Sequence, residues 1–314
     1  MKVHKSLDHL PKFKNAVITI GTFDGVHRGH REIIRNIVKS AQTVNGESVI
    51  ITFHPHPRRV ISPEVPVLHL HTIDEKLWHL QQLGVDHVVV VPFSREFSEM
   101  DAEEYVHTFL IGRFKPKIIV FGYDHRYGKN RRGDITLLKS IAALDNIIVH
   151  EIGAQTIADI TISSTKIRHH LLEGNIATAN TLLGYSYHLS GIVVRGDQIG
   201  RELGYPTANM EIADSEKLIP AKGVYAITAQ MNKEEKKWYG MMSIGNRPTF
   251  EGTSQTIEAH LFQFNRVIYG EHITVSLIEL IRREEKFASR SALIAAMDAD
   301  KIYCEKLFGI RLSE

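Results

Sequence analysis

Cysteine is almost missing from this chain, since Cys304 is the one example among 314 residues. A lone cysteine excludes an intrachain disulfide and a cysteine-based zinc site. Its place in an apolar helical pattern predicts a small core residue. Also missing are any run of about 18 apolar residues and an N-terminal apolar segment of the secretory type. We therefore expect a cytoplasmic protein without a membrane partner.

An excess of one charge is missing as well. The chain has 38 Lys and Arg against 36 Asp and Glu, which gives a formal net charge of +2. Proteins that bind nucleic acid concentrate their basic groups on one face, so nucleic acid is not an expected partner. Phosphate chemistry should instead be local and directed at a small anionic ligand. The sequence leaves the oligomeric state open.

The first half of the chain alternates β-branched apolar runs with amphipathic helical patterns. Strand and helix in succession are typical of an α/β fold with a doubly wound parallel sheet, whose strands are covered on both faces. The expected strands are 16–20, 48–53, 87–91, 118–121 and 147–150. One helical face gathers Ile33, Ile34, Ile37, Val38 and Ala41; another gathers Leu77, Leu80 and Leu83. Ligands on such sheets bind beyond the carboxyl ends of the strands.

The second half changes to strand-like runs with short polar or glycine breaks. No helical pattern intervenes between about Tyr185 and the last helix, expected at about 289–307. This spacing predicts an antiparallel β-barrel closed by one C-terminal helix. Two short helices, 165–172 and 176–183, precede it and end at Gly184. We predict one domain at residues 1–184 and a second at residues 185–314.

A glycine turn joins the first strand to the first helix. Gly21 and Gly25 allow the backbone to approach a ligand closely. His27 and His30 lie three residues apart where the helix begins, and helix N-termini attract anions. We interpret this segment as a phosphate site. The alternatives are a turn with two incidental surface histidines and a zinc site, which lacks further ligands at suitable spacing.

Two later segments offer further phosphate ligands. Ser164 and Thr165 stand at the start of a helix, where they either cap it or offer hydroxyl and N–H groups to phosphate. Arg168, one turn later, can point back to the same anion. The residues Arg126, Lys129, Arg131 and Arg132 form a basic segment. We interpret it as a flexible loop over a triphosphate, the alternative being a solvated loop.

The barrel half opens with a second glycine-rich segment. Its glycines are Gly191, Gly196, Gly200 and Gly204, and Pro206-Thr207-Ala208-Asn209 follows. Little side-chain bulk suits a loop that folds over phosphates. In an extended chain Thr207 and Asn209 face the same way, and their oxygens suit Mg²⁺ carried by ATP. A glycine-rich strand pair with hairpin turns is the alternative.

Four segments of the first half resemble the motifs of bacterial FAD synthetases, a branch of the nucleotidylyltransferase superfamily. They are GTFDGVHRGH at 21–30, TFHPHP at 52–57, FGYDHRYG at 121–128 with Arg131, Gly133 and Asp134, and SSTKIR at 163–168. His54 stands where the family commonly has an acid, and His125 and Tyr127 replace phenylalanines. The resemblance implies that ATP and phosphate are bound by Gly21, Phe23, Asp24, Gly25, His27, His30, Asp124, Arg126, Ser164, Thr165 and Arg168.

The second half resembles riboflavin kinases. The matching segments are GIVVRGDQIGRELGYPTAN at 191–209, GVYA at 223–226, SIGNRPTF at 243–250 and IEAHL at 257–261. The resemblance implies Glu258 as general base and Thr207 and Asn209 as Mg²⁺ ligands. It implies ATP and flavin contacts at Gly196, Gly200, Arg201, Gly204, Pro206, Thr207, Asn209, Tyr225 and Arg282. Gln263 and Asn265 replace acids common in the family, and we expect them to tune activity rather than abolish it.

Together the two resemblances span essentially the whole chain. They imply an enzyme that phosphorylates riboflavin to FMN and then transfers AMP from ATP to FMN, giving FAD and pyrophosphate. Catalysis of the second step would rest on positioning and charge neutralisation by Mg²⁺, His27, His30 and Arg168. One alternative is a flavin-binding regulator without chemistry, supported by the substitutions named above. Another is a transferase with a different acceptor, which would have no use for the barrel motif.

Overall fold

A fully parallel sheet forms the centre of the first half of the computed structural model. Its strands are β1 (Lys2–His4), β2 (Val17–Ile20), β3 (Ser48–His54), β4 (His87–Pro92), β5 (Ile118–Gly122) and β6 (Ile148–Ile152). They lie in the order β1-β4-β3-β2-β5-β6. The chain builds outward from β2 on one side and then returns to its other side, which confirms the doubly wound sheet. The point of return, beside β2, is where such sheets bind ligands.

The structure describes residues 1–122, 125–153, 156–157, 160–196, 198–231, 234–249 and 252–310. Asp124, expected to contact ATP, lies outside the described residues. No helix within these ranges is long and apolar enough to cross a membrane.

Helices cover both faces of the sheet. They are α1 (Arg28–Thr43), α2 (Pro57–Ile61), α3 (Ile73–Gln82), α4 (Arg95–Ser98), α5 (Ala102–Glu104), α6 (Gly112–Phe114) and α7 (Ile135–Leu144), with a π-helical segment Tyr105–Ile111 and a 3₁₀ turn Lys129–Arg131. Val17 points into the core that contains Ile34, and the next residue, Ile18, into the core that contains Phe109. Each such buried side chain stabilises the fold by about 1.5–3 kcal/mol.

Helix α3 has the expected apolar stripe, since Leu77, Leu80 and Leu83 pack into one core, but polar side chains are buried beside it. Leu80 is fully buried, but Glu75, Lys76 and His79 are buried with it. Thr72 begins the helix with a capping box, because its hydroxyl accepts from Glu75 N while the Glu75 carboxylate accepts from Thr72 N. The polar face of α3 therefore points to a site rather than to ordinary core packing.

The second half is a closed antiparallel barrel, as the sequence predicts. Its strands are β9 (His188–Val194), β10 (Ala208–Glu211), β11 (Gly223–Met231), β12 (Lys237–Thr249), β13 (Gly252–Leu261) and β14 (His272–Arg283), ordered β10-β13-β12-β11-β14-β9. A short pair, β7 (Thr156–Ile157) and β8 (Ile160–Thr161), precedes it. The expectation of no intervening helix is wrong at one point, because α10 (Ile199–Glu202) forms a single turn.

The C-terminal helix α11 (Arg290–Phe308) follows the barrel. The Ser289 hydroxyl caps it by accepting from Ala292 N. Cys304, on this helix, is completely buried among apolar side chains of the barrel, which confirms its expected place in the core.

The compact units of the chain are Met1–Ser164 and Thr165–Glu314. Two helices, α8 (Ser164–Leu172) and α9 (Ile176–Leu183), are thereby grouped with the barrel. Asn180 on α9 donates to Leu277 O at 2.9 Å, and Ala221 N donates to Leu171 O at 3.0 Å. The division into compact units thus falls about twenty residues before the domain boundary predicted at Gly184, which stays a prediction about function.

Candidate active sites

The turn after β2 is built around His27. This residue is only 5% exposed, and its Nδ1 accepts a hydrogen bond from His30 N at 3.3 Å, which caps α1. A nitrogen that accepts carries no proton, so the proton of the neutral ring resides on Nε2. The two imidazoles stack with centroids 3.6 Å apart. They are therefore part of the built turn and not incidental surface histidines.

His30 is held by the same turn. The Phe23 ring meets it edge-on at 5.2 Å, and its Nδ1 is buried without a hydrogen-bond partner among the residues that the structure describes. Burial, His27 and Lys76 together hold the pKa of His30 well below its usual range. The imidazole is neutral at pH 7, so it offers hydrogen bonds to a phosphate rather than the positive charge expected from the sequence.

Asp24 and Ser164 have internal partners. The Asp24 carboxylate accepts from Leu70 N at 3.0 Å and from His71 N at 3.2 Å. The Ser164 hydroxyl donates to Asp24 O at 2.8 Å. Both side chains thus join segments of the first unit, and their expected ATP and phosphate contacts stay predictions. The contact brings Ser164 beside the glycine turn, across 140 residues of sequence.

Lys76 was missed by sequence reasoning. It is 7% exposed on α3, and burial lowers its pKa while the nearby Asp24 carboxylate raises it, burial prevailing. The sequence did indicate its burial, because Lys76 lies one helical turn before the apolar Leu80 and shares its face. Phe23 was expected to bind ATP, but its side chain is 3% exposed and faces the core, which leaves only its backbone for a ligand.

Two side chains of the basic segment after β5 form ion pairs with acidic residues. Arg126 Nη1 lies 3.0 Å from Asp134 Oδ2, and Lys129 Nζ lies 2.7 Å from Glu99 Oε2. Tyr127 is buried, and its hydroxyl donates to Asp134 O at 3.1 Å. The hydroxyl that distinguishes Tyr127 from phenylalanine thus has a partner. A backbone bridge between Tyr127 and Gly133 closes this segment, and its expected role as a flexible loop over a triphosphate stays a prediction.

Thr165 and Arg168 belong to the second compact unit. They lie on the first turns of α8, Thr165 exposed and Arg168 half-buried. Their roles as phosphate ligands stay predictions.

The barrel brings Thr207, Asn209 and Glu258 together. Pairing of β10 with β13 sets Asn209 directly opposite Glu258, so their side chains share one face of the sheet. The Thr207 hydroxyl donates to Glu258 Oε2 at 3.1 Å, across 51 residues of sequence. Ser243 of β12 lies opposite Glu258 on its other side, a neighbour that the sequence did not indicate.

Two glycines close this cluster from the loop side. A Cβ on Gly196 would lie 2.3 Å from the Asn209 amide nitrogen. A Cβ on Gly200 would lie 2.4 Å from Tyr205 O and 3.3 Å from the Thr207 hydroxyl oxygen. These positions therefore need glycine because the loop packs directly on the PTAN segment (206–209).

A cavity of about 380 Å³ adjoins the cluster at Asn209. Its lining runs along β10 and β13 and includes Lys217 and Gln255. Its volume falls within the range of about 300–1,000 Å³ usual for small-molecule sites.

Two residues expected to contact ATP or flavin have structural partners. Tyr225 is completely buried and its hydroxyl donates to Ala221 O, and its expected ligand contact stays a prediction. Arg282 forms a bidentate pair with Asp300 of α11, at 2.9 Å for its shortest bond. The observed role of Arg282 is to fasten β14 to α11, and its ligand role stays a prediction. Arg201, Gly204 and Pro206 are exposed, as are Gln263 and Asn265 in the turn after β13.

Comparisons with known proteins match each half separately. A family model described as FAD synthetase matches residues 10–166, and one described as riboflavin kinase matches residues 183–308. A bifunctional riboflavin kinase/FMN adenylyltransferase of Escherichia coli (strain K12) is 34% identical over 99% of each chain. One from Listeria monocytogenes is 37% identical over 91% of this chain and 90% of that relative.

A solved structure has the same fold throughout. The crystal structure of a macrolide-efflux protein from Streptococcus pneumoniae superposes with a TM-score of 0.87 at 31% identity. The match covers 96% of this chain and 98% of that one.

Proposed function

We propose how two sites divide the chemistry in this chain, which belongs to the family of bifunctional riboflavin kinase/FMN adenylyltransferases. The chain is a transferase of FAD biosynthesis: it phosphorylates riboflavin to FMN with ATP and then transfers AMP from ATP to FMN. The contact between Thr207 and Glu258, opposite Asn209, is the observation that supports the kinase site in the barrel.

Glu258 is the general base of the kinase step. Its carboxylate takes the proton of the riboflavin 5′-hydroxyl as the oxygen attacks the γ-phosphorus of ATP, and ADP leaves with the bridging oxygen. Thr207 donates to Oε2, which orients the carboxylate toward the substrate. Gly196 and Gly200 let the loop lie close to the phosphates, and Arg201, Gly204, Pro206 and Arg282 complete the proposed ligand contacts.

Thr207 and Asn209 are the proposed ligands of Mg²⁺ carried by ATP. Their hydroxyl and amide oxygens, beside the Glu258 carboxylate, are the hard oxygen donors that this ion prefers. When bound, Mg²⁺ would neutralise phosphate charge. Because Thr207 donates its proton to Glu258, its oxygen lone pairs remain available for a ligand.

The first unit carries the adenylyl transfer. The FMN phosphate is already an anion and needs no base; it attacks the α-phosphorus of ATP and expels pyrophosphate. The α1 N-terminus with His27 and His30 supplies hydrogen-bond donors for the phosphates. Gly21 and Gly25 allow close approach, while Arg126 stays a proposed phosphate ligand of this reaction.

We place the functional boundary at residues 1–184 and 185–314, supported by the start of the riboflavin kinase match at residue 183. A cytoplasmic location is our proposal too, supported by the lone cysteine.

Paired variants test the division of labour. The enzyme is incubated with Mg·ATP and either riboflavin or FMN, and FMN and FAD are followed by chromatography. Glu258→Ala should lower FMN formation by about 10²–10⁴-fold, the usual worth of a general base, and leave FAD formation from supplied FMN nearly intact. His30→Ala should do the reverse.

Each variant serves as the control for the other. Loss of both activities in folded Glu258→Ala protein contradicts two separate sites. An unchanged rate of FAD formation in His30→Ala removes this histidine from the adenylyl site.

A further inference from the structure

His260 shares a face of β13 with the proposed base. Glu258 and His260 are two residues apart on this strand, and both are partly exposed, whereas Ile257, Ala259 and Leu261 between and around them are buried. The ring Nδ1 of His260 lies 2.8 Å from Pro206 O. Since a carbonyl oxygen only accepts, Nδ1 is the donor and carries the proton.

This hydrogen bond extends the contact between two segments beyond their strand pairing. The pairing of β10 with β13 consists of Ala208 with Ala259 and Asn209 with Glu258. Before Ala208, the segment is joined to β13 by the His260–Pro206 bond and by the bond from Thr207 to Glu258. The two bonds thus hold consecutive residues of the PTAN segment, including the proposed metal ligand Thr207.

The same segment is fastened on its other side to α11. The Tyr205 ring meets the His260 ring edge-on at 5.1 Å, and its hydroxyl donates to the Asp298 carboxylate. Arg290 Nη2 donates to Glu202 O at 2.7 Å. The loop is thus held to α11 through Glu202 and Tyr205, and the next residue, Pro206, is held by His260.

We propose that His260 is a positioning residue of the kinase site, which fixes the Pro206 carbonyl and thereby sets Thr207 against Glu258. This inference rests on the proposed roles of Thr207 and Glu258. His260 acts through the backbone and needs no contact with substrate. Burial and Lys301 lower the pKa of His260, against the hydrogen bond to Pro206, which raises it; the Nδ1 donor that the geometry requires is present in the neutral ring as well as in the charged one.

Two substitutions separate hydrogen bonding from packing. His260→Asn places an amide N–H near the position of Nδ1, while His260→Phe keeps a ring against Tyr205 and removes the donor. We expect H260F to lower kcat for riboflavin phosphorylation, or to raise KM for Mg·ATP, by about tenfold, which corresponds to one lost hydrogen bond. H260N should stay within about threefold of the parent enzyme, and KM for riboflavin should change little in either variant.

Coupling to Thr207 gives a second readout. In a double-mutant cycle, adding H260F to Thr207→Val should cost much less than H260F costs alone, because the histidine acts through Thr207. FAD formation from supplied FMN, measured on the same samples, checks the amount of active enzyme. Urea unfolding of each variant checks the barrel unit.

Three outcomes would overturn the proposal. They are kinase kinetics of H260F equal to those of the parent, a greater loss in H260N than in H260F, and full additivity with Thr207→Val. If H260F does not fold, H260N is compared with His260→Gln, whose amide reaches the Nε2 position instead. The proposal is then overturned if His260→Gln has the kinase kinetics of the parent, or if H260N loses more activity than His260→Gln. Glu258→Gln is assayed in parallel: if it retains kinase activity, the proposed base fails, independently of His260.

Discussion

Gly196 and Asn209 show what a single missing side chain does in this molecule. The sequence explains Gly196 as part of a flexible phosphate loop, since glycine leaves space and freedom. In the structure the reason is more specific, because the Asn209 amide occupies the place where a Cβ of residue 196 would be. Asn209 is therefore held by the loop on one side and stands opposite Glu258 on the other.

Gly196→Ala should impair the kinase step. The added methyl group would lie 2.3–2.7 Å from three atoms of the Asn209 amide group, so the amide must move. Overpacking of this kind costs about 1–3 kcal/mol, and we expect kcat/KM for Mg·ATP to fall about tenfold or more in steady-state assays.

Gly153→Ala is the matched control. A Cβ there would meet no atom of the described residues within 4 Å, so both activities should be unchanged. If Gly196→Ala behaves like this control, Asn209 does not hold the nucleotide in the position proposed.

At the scale of elements, the pair between Arg282 and Asp300 joins β14 to α11. Three hydrogen bonds of 2.9–3.1 Å connect the guanidinium to the carboxylate. Glu285 adds a contact at 3.2 Å, and the Arg282 guanidinium lies over the Phe287 ring. Asp300 is 4% exposed, and burial raises its pKa although the Arg282 partner lowers it.

Removing Asp300 should destabilise the barrel unit. Asp300→Ala leaves a largely buried guanidinium without its main partner, and breaking such a pair costs about 3 kcal/mol or more. Urea unfolding measures this loss as a decrease in the free energy of unfolding of the barrel unit. Glu234→Ala, which breaks the exposed pair between Arg266 and Glu234 in the same unit, should cost less than about 1 kcal/mol; an equal loss in both variants would contradict the structural role of Asp300.

Elements with continuous apolar runs or an amphipathic helical pattern were predictable from the sequence, while the short strand β10 was not. Strands β2, β3 and β4 consist almost entirely of buried residues, so composition alone identifies them. Strand β10, with the sequence Ala-Asn-Met-Glu, has no such signal and forms because β9 and β13 pair with it. Local patterns carry no information about pairing across such distances.

The same limit applies to the sites. The motifs drew attention to His27, His30, Thr207 and Glu258, but not to what holds each one. The bond from His30 N to His27 depends on how α1 begins, and the bond from Thr207 to Glu258 depends on strand register. Asp24, Ser164 and Tyr225 were expected as ligand residues from the motifs in which they stand, and the motifs did not indicate that the fold also uses their polar groups internally.

For the whole molecule, the boundary between the compact units determines which fragment of the second half keeps its hydrogen bonds. Helices α8 and α9 are bonded to the barrel through Asn180 and Leu171, and Arg283 Nη2 donates to Glu173 O at 3.0 Å. Tyr187 N also donates to Asn180 Oδ1 at 2.7 Å. A barrel separated at residue 185 loses these bonds together with the helices.

The fragment 165–314 should therefore be more stable than the fragment 185–314. Four lost hydrogen bonds of about 1 kcal/mol each predict a difference of about 4 kcal/mol in the free energy of unfolding. Urea titration of both fragments measures the difference, and riboflavin kinase assays show whether each is folded. Equal stability would place the true boundary of the barrel at Gly184.

Because Cys304 is buried, dyes can be attached to newly introduced cysteines of this enzyme without removing the natural one. Burial raises the pKa of its thiol to about 12, and since thiolates are the species that react with maleimides, this side chain is silent at neutral pH. New cysteines at exposed positions such as Leu144 in the first unit and Val267 in the second would be the only ones labelled. A donor and an acceptor dye there would follow the distance between the units in real time, while FMN made at one site is consumed at the other.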